Sequence, residues 1–298
     1  MSENSFDEQI ELPSNNIEDI ADTLVGFEAR YRMIRGHLQM ILEPERIDEW
    51  ANIVHARPPA LVNLMRQRYP LFLLSGDVGT GKTITAECIA NRITKEMKRE
   101  GVLLKLGAQV RGRGLHGEMT QKVRDAFEEL KAAAGKKRLA FLVIDEADAV
   151  AAQRDTEQMH QEEKSAINTL IQRIDAIRSV SGRAAVFLCT NRIHAIDPAV
   201  VRRAALHLEF NRPGDDERVE LLTQDLDGLG LTGGNIDTLA YITGPKKDRP
   251  GYTYSDFRLR FYPHAVAMAF PNTPLKFDIL KKAAQEITPS PEIKKSSD

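Results

Sequence analysis

The 298-residue chain is poor in cysteine: Cys88 and Cys189 are the only two, both inside apolar stretches, so a disulfide scaffold is excluded. The two cysteines and seven histidines show no C-x-x-C or H-x-x-x-H spacing, and no structural metal is expected. No run reaches the roughly eighteen uninterrupted apolar residues that a bilayer crossing needs, which predicts no membrane anchor. Neither charge is in excess. Lys and Arg number 41 against 43 Asp and Glu, a net −2, which argues against binding nucleic acid through bulk charge and leaves at most a local basic groove. The first 24 residues hold no Lys or Arg and no apolar core, so they are read as a flexible acidic tail, not a secretory signal, of a cytoplasmic protein.

What is present is alternation. Apolar runs at 71–74 and 139–144 read as buried strands, 102–106, 184–188 and 206–210 read as further strands, and helical periodicity falls between them at 82–99, 118–134, 163–177 and 198–204. Strands alternating with helices predict an α/β fold with a five-stranded parallel sheet. Past Arg212-Pro213-Gly214 the strands stop, and helical candidates at 216–226, 236–242, 255–270 and 275–287 predict a small all-helical domain. The expected organisation is therefore a tail (1–24), a large α/β domain (25–213), a helical domain (214–287) and a frayed end (288–298).

Three strand ends carry chemistry. Gly76-Asp77-Val78-Gly79-Thr80-Gly81-Lys82-Thr83 follows the first strand, opens a helix and fits the phosphate-loop pattern G-x-x-x-x-G-K-[ST] completely. Its glycines let backbone N–H groups curl round a polyphosphate, Lys82 can reach the β- and γ-phosphates, and the Thr83 hydroxyl can ligate Mg²⁺. The strand Phe141-Leu142-Val143-Ile144 ends in Asp145-Glu146. Functional groups gather at the carboxyl ends of parallel strands, so Asp145 is expected to hold Mg²⁺ and Glu146 to polarise the attacking water. Val186 to Cys189 leads into Thr190-Asn191, where the neutral Asn191 amide can orient water near the γ-phosphate without adding charge.

The order of these motifs resembles the AAA+ ATPases, over about Val25 to the C-terminal helices. The resemblance implies ATP and Mg²⁺ as ligands, Asn191 as the first sensor, and Arg202 or Arg203, after Asp197-Pro198-Ala199-Val200-Val201, as the arginine finger of a homo-oligomeric ring, expected to be a hexamer. Arg203 is favoured. It also implies an adenine contact at Val25-Gly26 and a second-sensor arginine at Arg258 or Arg260. A closer resemblance is to the pachytene-checkpoint-type ATPases that remodel HORMA-domain proteins. It rests on Ile144 to Val150, Ile167 to Asp175, the Arg203-Ala204 step in place of Arg-Pro-Gly-Arg, and Pro263-His264-Ala265. With only a short stretch before Val25, the chain looks like a compact bacterial-type member, a kind associated with anti-phage signalling. The family threads a protein partner through a pore loop that here runs through Leu115-His116-Gly117, with Leu115 at the usual aromatic position, and a second pore-facing loop is expected in 153–164. Competing readings are a DNA-directed loader or helicase-associated ATPase, against which the missing basic module weighs, and an ATP-dependent assembly scaffold, against which the intact Lys82, Asp145 and Glu146 weigh.

Overall fold

Continuous apolar runs fold as strands buried on both faces, and here six strands form one sheet: β1 (Glu8–Leu12), β2 (Leu71–Gly76), β3 (Gly101–Leu106), β4 (Leu139–Ile144), β5 (Ala184–Thr190) and β6 (Leu206–Phe210), in the order β1-β3-β4-β5-β2-β6. The computed structural model describes residues 6, 8–55, 58–65, 67–107, 118–152, 161–180 and 182–293. Every residue of β4 and β5 is buried. Their centre is aromatic: Phe187 stacks on Phe72 and on Phe141 at centroid distances of 5.4 and 6.4 Å. Pairing is parallel for β3 with β4, β4 with β5, and β5 with β2.

The expected sheet had five strands, and the sixth, β1, lies in the stretch expected to be a tail. It pairs antiparallel with β3, Glu8 opposite Lys105 and Leu12 opposite Gly101, and so covers a sheet edge that would otherwise offer unpaired backbone groups. Two apolar residues in Glu8-Gln9-Ile10-Glu11-Leu12 are too few to signal a strand from sequence. Helix α1 (Asn15–Asp22) follows: the Ser14 N–H donates to Asn91 Oδ1 at 2.7 Å, and Arg92 pairs with Glu18 at 2.8 Å.

Between β1 and β2 lie α2 (Phe27–Leu42), α3 (Pro44–Val54) and α4 (Leu61–Met65); α5 (Lys82–Glu96), α6 (Glu118–Ala134), α7 (Gln161–Ile177) and α8 (Pro198–Val201) sit between the later strands. After β6 come α9 (Asp215–Asp225), α10 (Gly233–Thr243), a π-helical turn (Asp256–Phe261), α11 (Tyr262–Ala269) and α12 (Phe277–Glu286). No described helix is long and apolar enough to cross a membrane.

The chain divides into two compact units. The first comprises Met1–Asp22, Phe27–Ser75 and Thr83–Glu209; the second comprises Thr23–Gly26, Gly76–Lys82 and Phe210–Asp298. The division thus falls at Glu209/Phe210 instead of after Pro213, and two short pieces from earlier in the chain join the helical unit. Val25 packs in that unit's core with Leu222, Leu239, Phe257, Phe261 and Leu280. Thr288 to Ile293, expected to fray, is anchored: the Tyr252 hydroxyl donates to the Ala284 and Ile287 carbonyls just before it, and Ser290 Oγ donates to Asp256 at 2.7 Å.

Lys105 is the one charged residue in β3, and it bridges Glu8 of β1 and Glu87 of α5 at 2.8 and 2.7 Å. Burial pushes the Glu87 carboxyl up, against the lowering pull of Lys105. Lys105→Ala should therefore destabilise the fold by about 2 kcal/mol at pH 8, less than the 3–5 expected for a fully buried pair, because 25% of the Lys105 side chain is exposed. A carboxyl whose folded pKa lies above its unfolded one stabilises at low pH and loses that stability as pH rises through the interval. The variant enlarges this rise, so its deficit in urea melts should shrink between pH 8 and pH 5; an unchanged deficit would mean that Glu87 is not the group left behind.

Candidate active site

In the second unit, the loop after β2 closes through backbone freedom that only glycine has. Gly76, Gly79 and Gly81 take φ of 145°, 77° and 87°. A Cβ on Gly76 would lie 2.0 Å from the Phe210 carbonyl oxygen, and one on Gly79 2.8 Å from Ser255 Cβ. The Ser255 N–H donates to the Gly79 carbonyl at 3.1 Å, and Thr80 Oγ1 donates to the Asp77 carbonyl at 2.8 Å. Buried Lys82 donates from Nζ to the carbonyls of Gly76 and Asp77 at 2.9 and 2.8 Å, so the ammonium is held over the loop by the loop itself. A buried cation held over a glycine-rich loop is a donor suited to a polyphosphate.

In the first unit, parallel register sets the strand ends level. Ile144 lies opposite Leu188, and Ser75 opposite Thr190, so Asp145 follows β4 on the same side of the sheet as Thr190-Asn191. Thr83 Oγ1 donates to Asp145 Oδ2 at 2.8 Å. A hydroxyl and a carboxylate in contact are oxygen ligands of the kind a hard divalent cation takes. Asp145 Oδ1 accepts the Glu146 N–H at 2.8 Å, which leaves the exposed Glu146 side chain outside that contact. Glu146 is one of two non-glycine residues with positive φ (47°) among the described residues. Asn191 is half-buried; the neighbouring Thr190 Oγ1 donates to Asp148 at 3.0 Å and accepts the Arg192 N–H at 3.0 Å, which fixes the strand end from which Asn191 projects.

The two candidate finger arginines differ. Asp197 caps α8, its carboxylate accepting the Ala199 N–H at 2.7 Å. Just past that helix, Arg203 is forked onto Asp175 at 2.7 and 3.0 Å, donates to the Ala199 carbonyl at 2.8 Å and lies over the Tyr69 ring, whereas Arg202 is exposed. Hydrogen bonding to Asp175 raises the Arg203 pKa still further. In the second unit, Arg258 is forked onto Asp225 at 3.0 and 2.9 Å and donates to the Thr23 carbonyl at 2.9 Å, while Arg260 donates to Asp256 at 3.0 Å. Leu115, His116 and Gly117 and residues 153–160 lie outside the described residues.

A family model, ATPase family associated with various cellular activities (AAA), matches residues 72–212. CD-NTase-associated protein 6 of Escherichia coli strain KTE188 is 45% identical over 293 residues, covering 98% of both chains, and that of strain MS 115-1 is 38% identical over 96% of this chain and 95% of the relative. The chain belongs to the AAA ATPases, in the group of CD-NTase-associated protein 6. A chain of the E. coli MS115-1 HORMA:CdnC:Trip13 complex superposes with a TM-score of 0.91 at 35% identity, covering 98% of this chain and all of that one. Rhizobiales Trip13 follows at 0.73 and 31%, covering 96% and 99%. The AAA domain of FIGL-1 bound to ADP, at 0.61 and 19% identity, shares the fold. As an AAA ATPase the chain binds nucleotide and hydrolyses ATP.

The partners Asp175 and Asp225 escaped sequence reading because each lies 28 or 33 positions from its arginine, beyond the reach of any helical or strand periodicity. The left-handed backbone at Glu146 was equally invisible. It costs a non-glycine residue about 1–2 kcal/mol, strain of the kind held at functional sites. Glu146→Gly should consequently melt as a protein about 1 kcal/mol more stable than Glu146→Ala, and equal stabilities in denaturant titrations would show that the turn is not strained.

Proposed function

We propose that the chain is a ring-forming ATPase that uses hydrolysis to engage and partly unfold a HORMA-domain protein within an anti-phage signalling system. The observation that carries this reading is likeness along the whole chain, 98% of its length, to CD-NTase-associated protein 6 and to a chain of the HORMA:CdnC:Trip13 complex. Likeness confined to the ATPase core would be shared with AAA proteins of many other functions.

In this reading the loop 76–83 binds the triphosphate, with Lys82 balancing charge on the β- and γ-phosphates. Thr83 and Asp145 would hold Mg²⁺, which supplies Lewis-acid charge to the phosphoryl oxygens when bound. Glu146 accepts the proton of the attacking water, and its freedom from the Thr83–Asp145 contact supports that role. Asn191 orients the same water. Val25 and Gly26 line the base, and Arg258, fixed by Asp225, holds their segment through the Thr23 carbonyl instead of sensing phosphate. Leu115, His116 and Gly117 are the pore residues that grip the partner.

The finger acting on the neighbouring subunit's nucleotide is assigned to Arg202. Sequence favoured Arg203, but the Asp175 fork and the Tyr69 ring occupy that guanidinium within its own chain. Arg202→Ala should bind ATP normally and lose roughly a thousandfold in turnover. Mixing it with Glu146→Gln should restore part of the activity, since some interfaces then pair an intact Glu146 with an intact Arg202. Full turnover by Arg202→Ala alone would return the role to Arg203.

Glu146→Gln should bind ATP, hydrolyse it slowly and retain its partner on affinity capture, because an amide accepts no proton from water. A HORMA-domain protein recovered with it in an ATP-dependent manner supports the proposal, and recovery of DNA instead would overturn it. Lys82→Ala should lose nucleotide binding and, with it, that capture.

A further inference from the structure

Asp77 puts a carboxylate into a loop built to receive a polyanion. Left bare, it would repel phosphate within a few ångströms, where screening by salt is weak. It is not bare. Asp77 Oδ2 accepts from Arg212 Nε at 2.8 Å, and Oδ1 accepts the Ile293 N–H at 3.2 Å. The ion pair is largely buried, with side-chain exposures of 11% for Arg212 and 20% for Asp77. Arg212 is itself oriented by donating from Nη1 to the carbonyls of Gly251 and Ser290 at 2.7 and 2.9 Å. Ser290 is pinned in turn, its N–H and Oγ donating to the two oxygens of buried Asp256 at 3.1 and 2.7 Å. A chain of hydrogen bonds therefore runs from Asp256 through Ser290 and Arg212 to the phosphate loop.

We infer that Arg212 and the C-terminal segment Thr288 to Ile293 form a clasp that neutralises the Asp77 carboxylate, and that they are positioning residues without which the loop holds nucleotide poorly. The inference rests on the nucleotide reading of the loop given above. Arg212 acts through Asp77, so its value to nucleotide binding depends on Asp77 being charged. An arginine that touched phosphate directly through Nη2, which is buried without a hydrogen-bond partner among the described residues, would show no such dependence.

The test is equilibrium binding of a fluorescent ATP analogue to the full chain, with thermal melts to establish that each variant folds. Arg212→Gln removes the charge and should weaken binding about tenfold, while Arg212→Lys keeps the charge and should weaken it about threefold or less. In an Asp77→Asn background the loss caused by Arg212→Gln should shrink to about twofold, because no carboxylate is left to neutralise. Removing residues 288–298 should weaken binding in the same direction and be relieved in the same way by Asp77→Asn, and this pair carries the comparison if Arg212→Gln does not fold. A loss of equal size in both backgrounds overturns the clasp and assigns Arg212 to phosphate or to structure alone. Failure of the wild-type chain to bind the analogue would instead overturn the nucleotide reading, with Lys82→Ala as the non-binding reference.

Discussion

Parallel pairing of β4, β5 and β2 is the constraint on which the rest depends. Because Ile144 stands opposite Leu188, the residues that follow β4 and β5 emerge at a common end of the sheet without any contact arranging them. The apolar cost of the arrangement is carried by the strands themselves: Phe72, Phe141 and Phe187 are fully buried and stacked, and burial of each contributes about 1.5–3 kcal/mol. A one-residue slip in β4 would reverse the faces of that whole strand and move Asp145 away from Thr83. The Thr83–Asp145 hydrogen bond is thus the local reading of a register set many residues away.

Electrostatics supplies the second theme. The chain ties arginines to carboxylates distant in sequence: Arg203 forks onto Asp175 and Arg258 onto Asp225, while Arg212 meets Asp77 through Nε alone. A planar guanidinium that makes two parallel hydrogen bonds is held in direction as well as position, which lysine cannot match. Such pairs orient their surroundings, the Thr23 carbonyl in one case and the phosphate loop in another. They also withdraw those arginines from other work, which is why an exposed neighbour, Arg202, is the better candidate for a role toward a second copy.

The edge of the sheet shows where reading by pattern stops. β2, β4 and β5 were legible because a strand buried on both faces is apolar almost throughout, whereas β6, Leu206-His207-Leu208-Glu209-Phe210, alternates apolar with polar residues, the other strand signal. β1 was not, since an edge strand needs apolar residues on one face only and here carries two, so its polar residues looked like a tail. The same holds for the segment 288–293: it is short, polar and rich in proline, and only its bonds to Asp256, Arg212 and Asp77 distinguish it from a frayed end.

The sequence by itself determined the α/β class, five of the six strands, the phosphate loop and the carboxylates at the end of β4, because each is a local matter of burial period or of glycine, lysine and acid at fixed offsets. Tertiary structure alone decided which arginine is occupied and which is exposed, that Glu146 stands on a left-handed turn, that residues 23–26 pack with the helical unit, and that Asp77 pairs with Arg212 and accepts the Ile293 N–H. Those depend on pairs as much as 235 positions apart. Such distances are closed by the fold of the whole chain, and no periodicity within a segment records them.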